Sequence, residues 1–347
     1  MKKIRTINTS VEGISIDIYD TAAILHSEKE MRVLSSAVVN GGYANSGHIL
    51  NMSVPSGYCS DTPSKDIINT ARDCRCNQVV GMMTAADVRN TVVEESDGVV
   101  VMATAGTSNA ATPGEEALPW KGGTVNICVV CEQDLTPACM ANAIITVTEA
   151  KTHVFRILDI RSTNSGKPAT GTTTDSVAIA TLSKGDAPAC YASTATELGR
   201  TIATLVIKAI LCCLEKYNGK SRKRTFVKRL AERKISCEET CDCMSRILKT
   251  LFDTNATGDD ISAIHSPLFP LMLMAIDLLN IRMEQDGNEA AIRDAKEIGR
   301  MVALFRGGAS AISTYEECFT NDIVQKIVRN NPWKALFLGF YCANVKG

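Results

Sequence analysis

Aromatic residues are scarce in this chain of 347, at 5 %, and histidine occurs only four times. A core with so few rings has to be built from Ala, Val, Ile, Leu and Met. Charge of one sign is lacking too. Lys+Arg numbers 37 against 38 for Asp+Glu, a formal net charge of −1, so no whole-chain field exists to hold a nucleic-acid backbone and general DNA or RNA binding is disfavoured. No run approaches the roughly 20 consecutive apolar residues that a membrane-spanning helix needs. Met1–Thr6 leads into polar residues and Asp17, not into the apolar stretch of an export signal. A cytoplasmic protein without a membrane partner is the expectation. Low-complexity tracts and repeats at fixed spacing are missing as well. Hydrophobic residues at 45 % with 22 % charged suit a packed globule and argue against disorder. Cysteine is the exception to this scarcity, with fourteen. A secreted disulfide scaffold would be short and carry an export signal. Several cysteines, among them Cys128, Cys131, Cys212 and Cys213, sit in apolar runs, where a reduced thiol serves as a small core hydrophobe.

What is present falls into two textures. From Ser10 to about Gly219, short β-branched or alternating runs read as strands: Ile14–Ile18, Met31–Val39, Ile49–Val54, Gln78–Met83, Gly98–Ala103, Thr124–Cys131 and Asp175–Leu182. Helical spacing marks Lys65–Cys76, Pro137–Phe155 and Thr196–Tyr217. Strands outnumber helices and do not alternate with them, which predicts an α/β (α+β) fold with mixed sheets rather than a parallel doubly wound one. Beyond residue 219 the pattern is helix only, over Cys237–Phe252, Pro267–Glu284, Glu289–Phe305, Asn321–Arg329 and Pro332–Phe340. The expected organisation is therefore a domain over 1–219 and an all-helical domain over 220–347.

Three segments of the first half hold the residue types that chemistry needs. The stretch from Ala103 to Gly114, with Thr104, Gly106, Asn109 and Thr112, is made of small, hydroxylated residues. Such a stretch lets a ligand or a developing oxyanion approach backbone N–H groups; it reads equally as a plain surface loop. Next, Lys121-Gly122-Gly123-Thr124-Val125-Asn126 opens a strand. Alternation puts Thr124 and Asn126 on one face, as nucleophile and positioning group, or else as the solvent face of an edge strand. The third, Ala169–Ser176, carries Thr170, Gly171, Thr172 and Asp175. It suits a holder of polar substrate edges, or a turn whose side chains satisfy their own backbone.

Leu34–Gly42 (with Asn40-Gly41), Val80–Ala86, Ala103–Gly106 with Asn109-Ala110, Gly123–Ile127, Asn142–Thr152, Ala169–Val177 and Tyr191–Gly199 together resemble the adenosylcobinamide amidohydrolase family of corrinoid salvage, in the family's order and over about residues 10–217. The resemblance implies hydrolysis of the amide that holds the aminopropanol arm of adenosylcobinamide, releasing adenosylcobyric acid. It implies a corrinoid as partner and no cofactor or metal of the enzyme's own, since the cobalt belongs to the substrate. Thr173 stands where that family is expected to have glycine, and Ala195 where some relatives carry a polar residue. A fainter similarity, to the ornithine acetyltransferase group, implies two sheets stacked between helical layers, a four-layer αββα sandwich. It further implies Thr124 as nucleophile or holder of the attacking water, Thr112 and Gly114 at the oxyanion, and Lys121, Glu149, Lys151 and Asp175 for proton transfer and positioning. Asn40, Gly41, Thr104, Gly106, Asn109, Asn126, Thr170, Gly171 and Thr172 are the expected substrate contacts.

The rest of the chain offers less. His26, His48, His153 and His265 are scattered and form no ligand spacing with cysteines. Glu149 and His153, four apart on a helix, read as an exposed pair. Cys237, Cys241 and Cys243 form a dense thiol cluster without a standard metal spacing, read as a zinc, iron–sulfur or cobalt ligand set or as incidental thiols. Seven basic residues between Ser221 and Lys234 suit a phosphate or acidic partner, or a solvated helix face. The leading expectation is an amidohydrolase; its rival from another class is a corrinoid-binding or regulatory protein on the same fold. A homo-oligomer is compatible with either.

Overall fold

The computed structural model describes residues 1–116, 122–182, 187–218, 224–252 and 268–342. Two compact units divide the chain, Met1–Lys223 and Arg224–Gly347. The first carries β1 (Lys3–Asn8), β2 (Ile14–Tyr19), β3 (Ala22–Ser35), β4 (Gly42–Ser53), α1 (Pro63–Asp73), β5 (Val79–Thr84), β6 (Val92–Ser96), β7 (Val99–Ala105), β8 (Ala110–Ala111), β9 (Val125–Cys131), α2 (Pro137–Ile157), β10 (Gly171–Thr172), β11 (Ser176–Thr181) and α3 (Glu197–Asn218).

Nine of these strands form one mixed sheet, and β3 is its hinge. Along one edge the first half of β3 pairs antiparallel with β2 and its last residues pair with β11; along the other edge it pairs with β4. The register breaks between His26 and Met31, and such an irregularity bends and twists a strand. The sheet thereby curls on itself. Ile16 of β2, Leu25 of β3, Met82 of β5, Met102 of β7, Cys128 of β9 and Ala180 of β11 fill the space between its arms. On one outer face, Ile67 and Ala71 of α1 cover Ile24, Leu50, Met52 and Val79. On the other, α2 and α3 cover Val101, Ile127, Val129 and Ile179. The order helix, sheet, sheet, helix is the expected four-layer one. The expectation of two separate sheets is corrected: both inner layers are arms of a single hydrogen-bonded sheet.

Local chemistry explains the elements that frame the site. Every residue of β9, Val-Asn-Ile-Cys-Val-Val-Cys, is buried, as a strand covered on both faces requires. α2 starts at an N-cap, Thr136, whose hydroxyl accepts the Cys139 N–H at 3.1 Å, with Pro137 in the first turn.

The second unit comprises α4 (Phe226–Glu232), α5 (Cys237–Phe252), α6 (Leu268–Asp286), α7 (Asn288–Cys318), α8 (Asp322–Asn330) and α9 (Lys334–Cys342). α7 reverses at Gly308 (φ 70°), so Tyr315 donates back to the Lys296 carbonyl at 3.0 Å. α9 is buried from Ala335 to Cys342. α6 is apolar on two sides: Met272, Ile276 and Leu279 enter the core while Leu271, Met274 and Leu278 are exposed. Of the basic run, Arg224 pairs with Glu232 at 2.7 Å and Arg233 with Asp277 at 3.0 Å; those charges serve the helices' own packing. Residues 219–223 lie outside the described ones. No helix among the described residues is long and apolar enough to cross a membrane.

Candidate active site

Thr124 precedes β9 and is 2 % exposed, which removes the edge-strand alternative. Its Oγ1 donates to the Gly123 carbonyl at 2.7 Å or shares a proton with Thr174 Oγ1, also at 2.7 Å. Gly123 is required there. It adopts φ 96°, and a Cβ on it would lie 2.7 Å from the Ser108 nitrogen and 2.8 Å from Asn109 Oδ1, closer than a side chain tolerates. The Gly106 N–H donates to the Thr124 carbonyl at 3.0 Å, extending the β7–β9 ladder into the small-residue loop.

The Thr-rich segment closes over this strand mouth. Asp175 is its hub. Its Oδ1 accepts the Val125 N–H at 3.0 Å and the Thr172 hydroxyl; its Oδ2 accepts the Thr172 N–H at 3.0 Å and Lys151 Nζ at 2.5 Å. Lys151, on α2, is 8 % exposed. Gly171 makes the meeting possible, since a Cβ there would overlap Asp175 Oδ2 and stand 2.7 Å from Lys151 Nζ. The short β8–β10 pairing, Gly171 opposite Ala111, ties this segment to the loop that carries Asn109. The Thr170 N–H donates to the Ala111 carbonyl in the same tie.

Asn109 and Asn126 are the polar groups aimed inward. Asn109 Nδ2 donates to Thr173 Oγ1 at 2.8 Å. Asn126 Nδ2 donates to Asn51 Oδ1 at 2.8 Å and to the Met83 carbonyl at 2.9 Å, and Asn51 Nδ2 donates to Thr104 Oγ1 at 2.9 Å. Both carboxamide oxygens, Asn109 Oδ1 and Asn126 Oδ1, are buried without a hydrogen-bond partner. An orphaned buried acceptor costs about 1–3 kcal/mol, a cost that a donor from water or ligand removes. Asn51 escaped the sequence reading. Its signal was a carboxamide inside the apolar run Ile49-Leu50-Asn51-Met52, all of it buried.

Other expected residues stand apart. Thr112 is spoken for: its hydroxyl donates to the Pro168 carbonyl at 2.9 Å and its N–H to Glu115 Oε1 at 2.8 Å, so it offers no donor to an oxyanion. Burial pushes the Glu115 carboxyl up, but hydrogen bonds from Ser162, Ser165 and the Thr112 N–H outweigh it and hold the group below the usual glutamate range. Gly114 is exposed beside it. Glu149 is exposed on α2, about 200° around the helix from Lys151 at 3.6 residues per turn, and is not brought to Asp175. Asn40 and Gly41 are exposed, and Asn40 Nδ2 donates to the carbonyl of Val79, the first residue of β5. The glycine pair instead abuts β5's other end, Ala85 lying 3.4 Å from a Cβ on Gly122. Lys121 lies outside the described residues. His26 and His48, expected to be scattered, are neighbours, with Nδ1 atoms 3.1 Å apart.

Comparison with known proteins gives the chain its class, that of the amide hydrolases. Residues 7–222 match the adenosylcobinamide amidohydrolase family, and the chain belongs to that family. Over 189 residues it is 32 % identical to a Methanosarcina mazei protein described as adenosylcobinamide amidohydrolase, covering 52 % of this chain and 88 % of that one. A 96-residue match, 42 % identical, links it to an uncharacterized protein of Methanocaldococcus jannaschii, over 27 % of this chain and 36 % of that one.

Proposed function

We propose that the chain hydrolyses the amide between the corrin side chain and the aminopropanol arm of adenosylcobinamide, giving adenosylcobyric acid and the free amine. The observation that carries this reading is the Thr124 hydroxyl, buried at a strand mouth against Gly123 and Thr174, with the unsatisfied Asn109 Oδ1 beside it. In the proposed reaction Thr124 Oγ adds to the amide carbon. The C–N bond then breaks as the hydroxyl proton passes to the leaving amine, and water hydrolyses the resulting ester. Asn109 Oδ1 and Asn126 Oδ1 accept from substrate N–H groups. Asp175 already accepts from four donors, so its part is positioning: it pins Val125, and hence Thr124, against the Thr172 turn, while Lys151 balances its charge. The protein supplies hydroxyls and carboxamides to this step, and cobalt enters with the substrate.

Incubation of purified protein with adenosylcobinamide, read by chromatography for adenosylcobyric acid, tests the reaction. Thr124→Ala is expected to lower kcat by about 10³-fold or more with the fold intact by circular dichroism. Full activity in that variant removes Thr124 from the chemistry. Thr173 favours one further reading, because its hydroxyl occupies Asn109 Nδ2 where the family is expected to have glycine. Tight corrinoid binding without turnover would establish that rival, a binding protein.

A further inference from the structure

His26 of β3 and His48 of β4 are register partners across the antiparallel pair, and their side chains leave the sheet on the face that α1 covers, away from Asn51 and the Thr124 site. Their Nδ1 atoms face each other at 3.1 Å. Cys76 reaches the same point from the turn after α1. There Arg75 takes φ 60°, its N–H donates to the Arg72 carbonyl, and the Cys76 N–H donates to the Ala71 carbonyl. This is the paired closure that ends many helices, and it fixes where the thiol points. One donor atom from each of His26, His48 and Cys76 lies within 4.8 Å of the others. Cys76 is buried and both imidazoles are half-buried.

A second observation orients the set. Asp17 of β2 puts Oδ2 at 3.3 Å from His26 Nε2, and its own Oδ1 is held by Lys3 Nζ and the Thr6 hydroxyl, each at 2.7 Å. That Nε2 atom is buried and has no aligned hydrogen bond. The carboxylate therefore acts on it as an ion-pair neighbour and favours the tautomer with the proton on Nε2. The His26 Nδ1 lone pair is left free toward His48. Carboxylate behind imidazole is the arrangement that steers metal-binding histidines.

We propose that His26, His48 and Cys76 form a structural site for a borderline first-row divalent cation of the zinc class, oriented by Asp17 and independent of amide cleavage. Two imidazole nitrogens and a thiolate suit such an ion. Nitrogens about 2.0–2.1 Å from zinc stand close to the separation seen here, and a sulfur at about 2.3 Å needs only a side-chain-scale approach by Cys76. Binding releases the thiol proton to solvent, and the ion keeps one coordination position for water.

The test uses the full chain, freed of metal by chelator and kept reduced, titrated with Co²⁺ as the spectroscopic probe and then with Zn²⁺ in competition. The expected result is one ion per chain, with thiolate-to-cobalt charge-transfer absorption that zinc abolishes. Cys76→Ser should remove that absorption. His48→Ala should weaken binding at least about tenfold, and Asp17→Asn by about 10–100-fold. Cys241→Ser should leave both readouts unchanged. The proposal is overturned if no ion binds at unit stoichiometry, the two histidines then simply sharing a proton between strands. It is equally overturned if Cys76→Ser and His48→Ala bind as the parent does, or if Cys74→Ser, not Cys76→Ser, removes the charge-transfer band.

Discussion

Asp175 and Gly171 decide whether the Thr124 strand mouth exists at all. The carboxylate gathers two backbone N–H groups, one hydroxyl and one ammonium into a single point, and Gly171 leaves the room for them. Lys151 and Asp175 are 10 % and 12 % exposed at their side chains, so separating them leaves a nearly dry charge. Gly171→Ala is therefore expected to cost about 3 kcal/mol in urea unfolding and to abolish amide cleavage together. Gly47→Ala, whose new methyl would meet only the Ser27 carbonyl at 3.6 Å, should stay within about 0.5 kcal/mol of the parent. Equal costs at the two positions would show that the Asp175 cluster contributes little.

At the scale of elements, a hinge strand organises the first unit and a helix crossing organises the second. β3 changes partner from β2 to β11 past its register break, and that exchange curls one sheet into two layers. α7 and α9 cross through Gly299 and Gly339, where a Cβ on Gly339 would overlap the Gly299 carbonyl. Backbone against backbone leaves no space for a methyl. Gly339→Ala should force the helices apart and lower the stability of the helical unit by about 1–3 kcal/mol, seen as an earlier urea transition. A midpoint identical to the parent's would mean that the two helices take up the methyl without losing packing. Among the described residues, no set of three metal-ligating groups forms around Cys237, Cys241 and Cys243. Cys237 and Cys241 approach to 3.8 Å on α5, while Cys243 lines a cavity of about 330 Å³ with Asn321 and Ile323.

For the whole molecule, the family match ends at residue 222 and the first compact unit at Lys223. The Methanosarcina relative is 88 % covered by 189 aligned residues, which leaves it too little chain for a counterpart of the helical unit. Everything placed around Thr124 comes from the first unit. A chain ending at Lys223 should therefore keep a cooperative unfolding transition and an unchanged kcat/KM on adenosylcobinamide. A folded but inactive truncation would assign the helical unit a part in turnover.

Local patterns in the sequence were enough to determine the strand-rich first half, the helix-only second half and the three hydroxyl-bearing segments, because turn chemistry and residue periodicity act over a few neighbours. Thr124, Asn109 and Asp175 stand in those segments, whereas Lys151, on α2, was singled out only through the resemblance to the ornithine acetyltransferase group. The first half of β3, Ala22-Ala-Ile-Leu-His-Ser-Glu-Lys-Glu30, was not: its buried and exposed residues do not alternate, since its neighbours change along its length. Only the tertiary structure decided which carboxamides meet, that Thr112 is consumed by Glu115 and Pro168, and that Glu149 faces away. Only it brought Asn51 to Asn126 and His26 to His48 and Cys76. Those meetings depend on strand register and helix closure between segments tens of residues apart, where a shift of one residue would send each side chain to the opposite face.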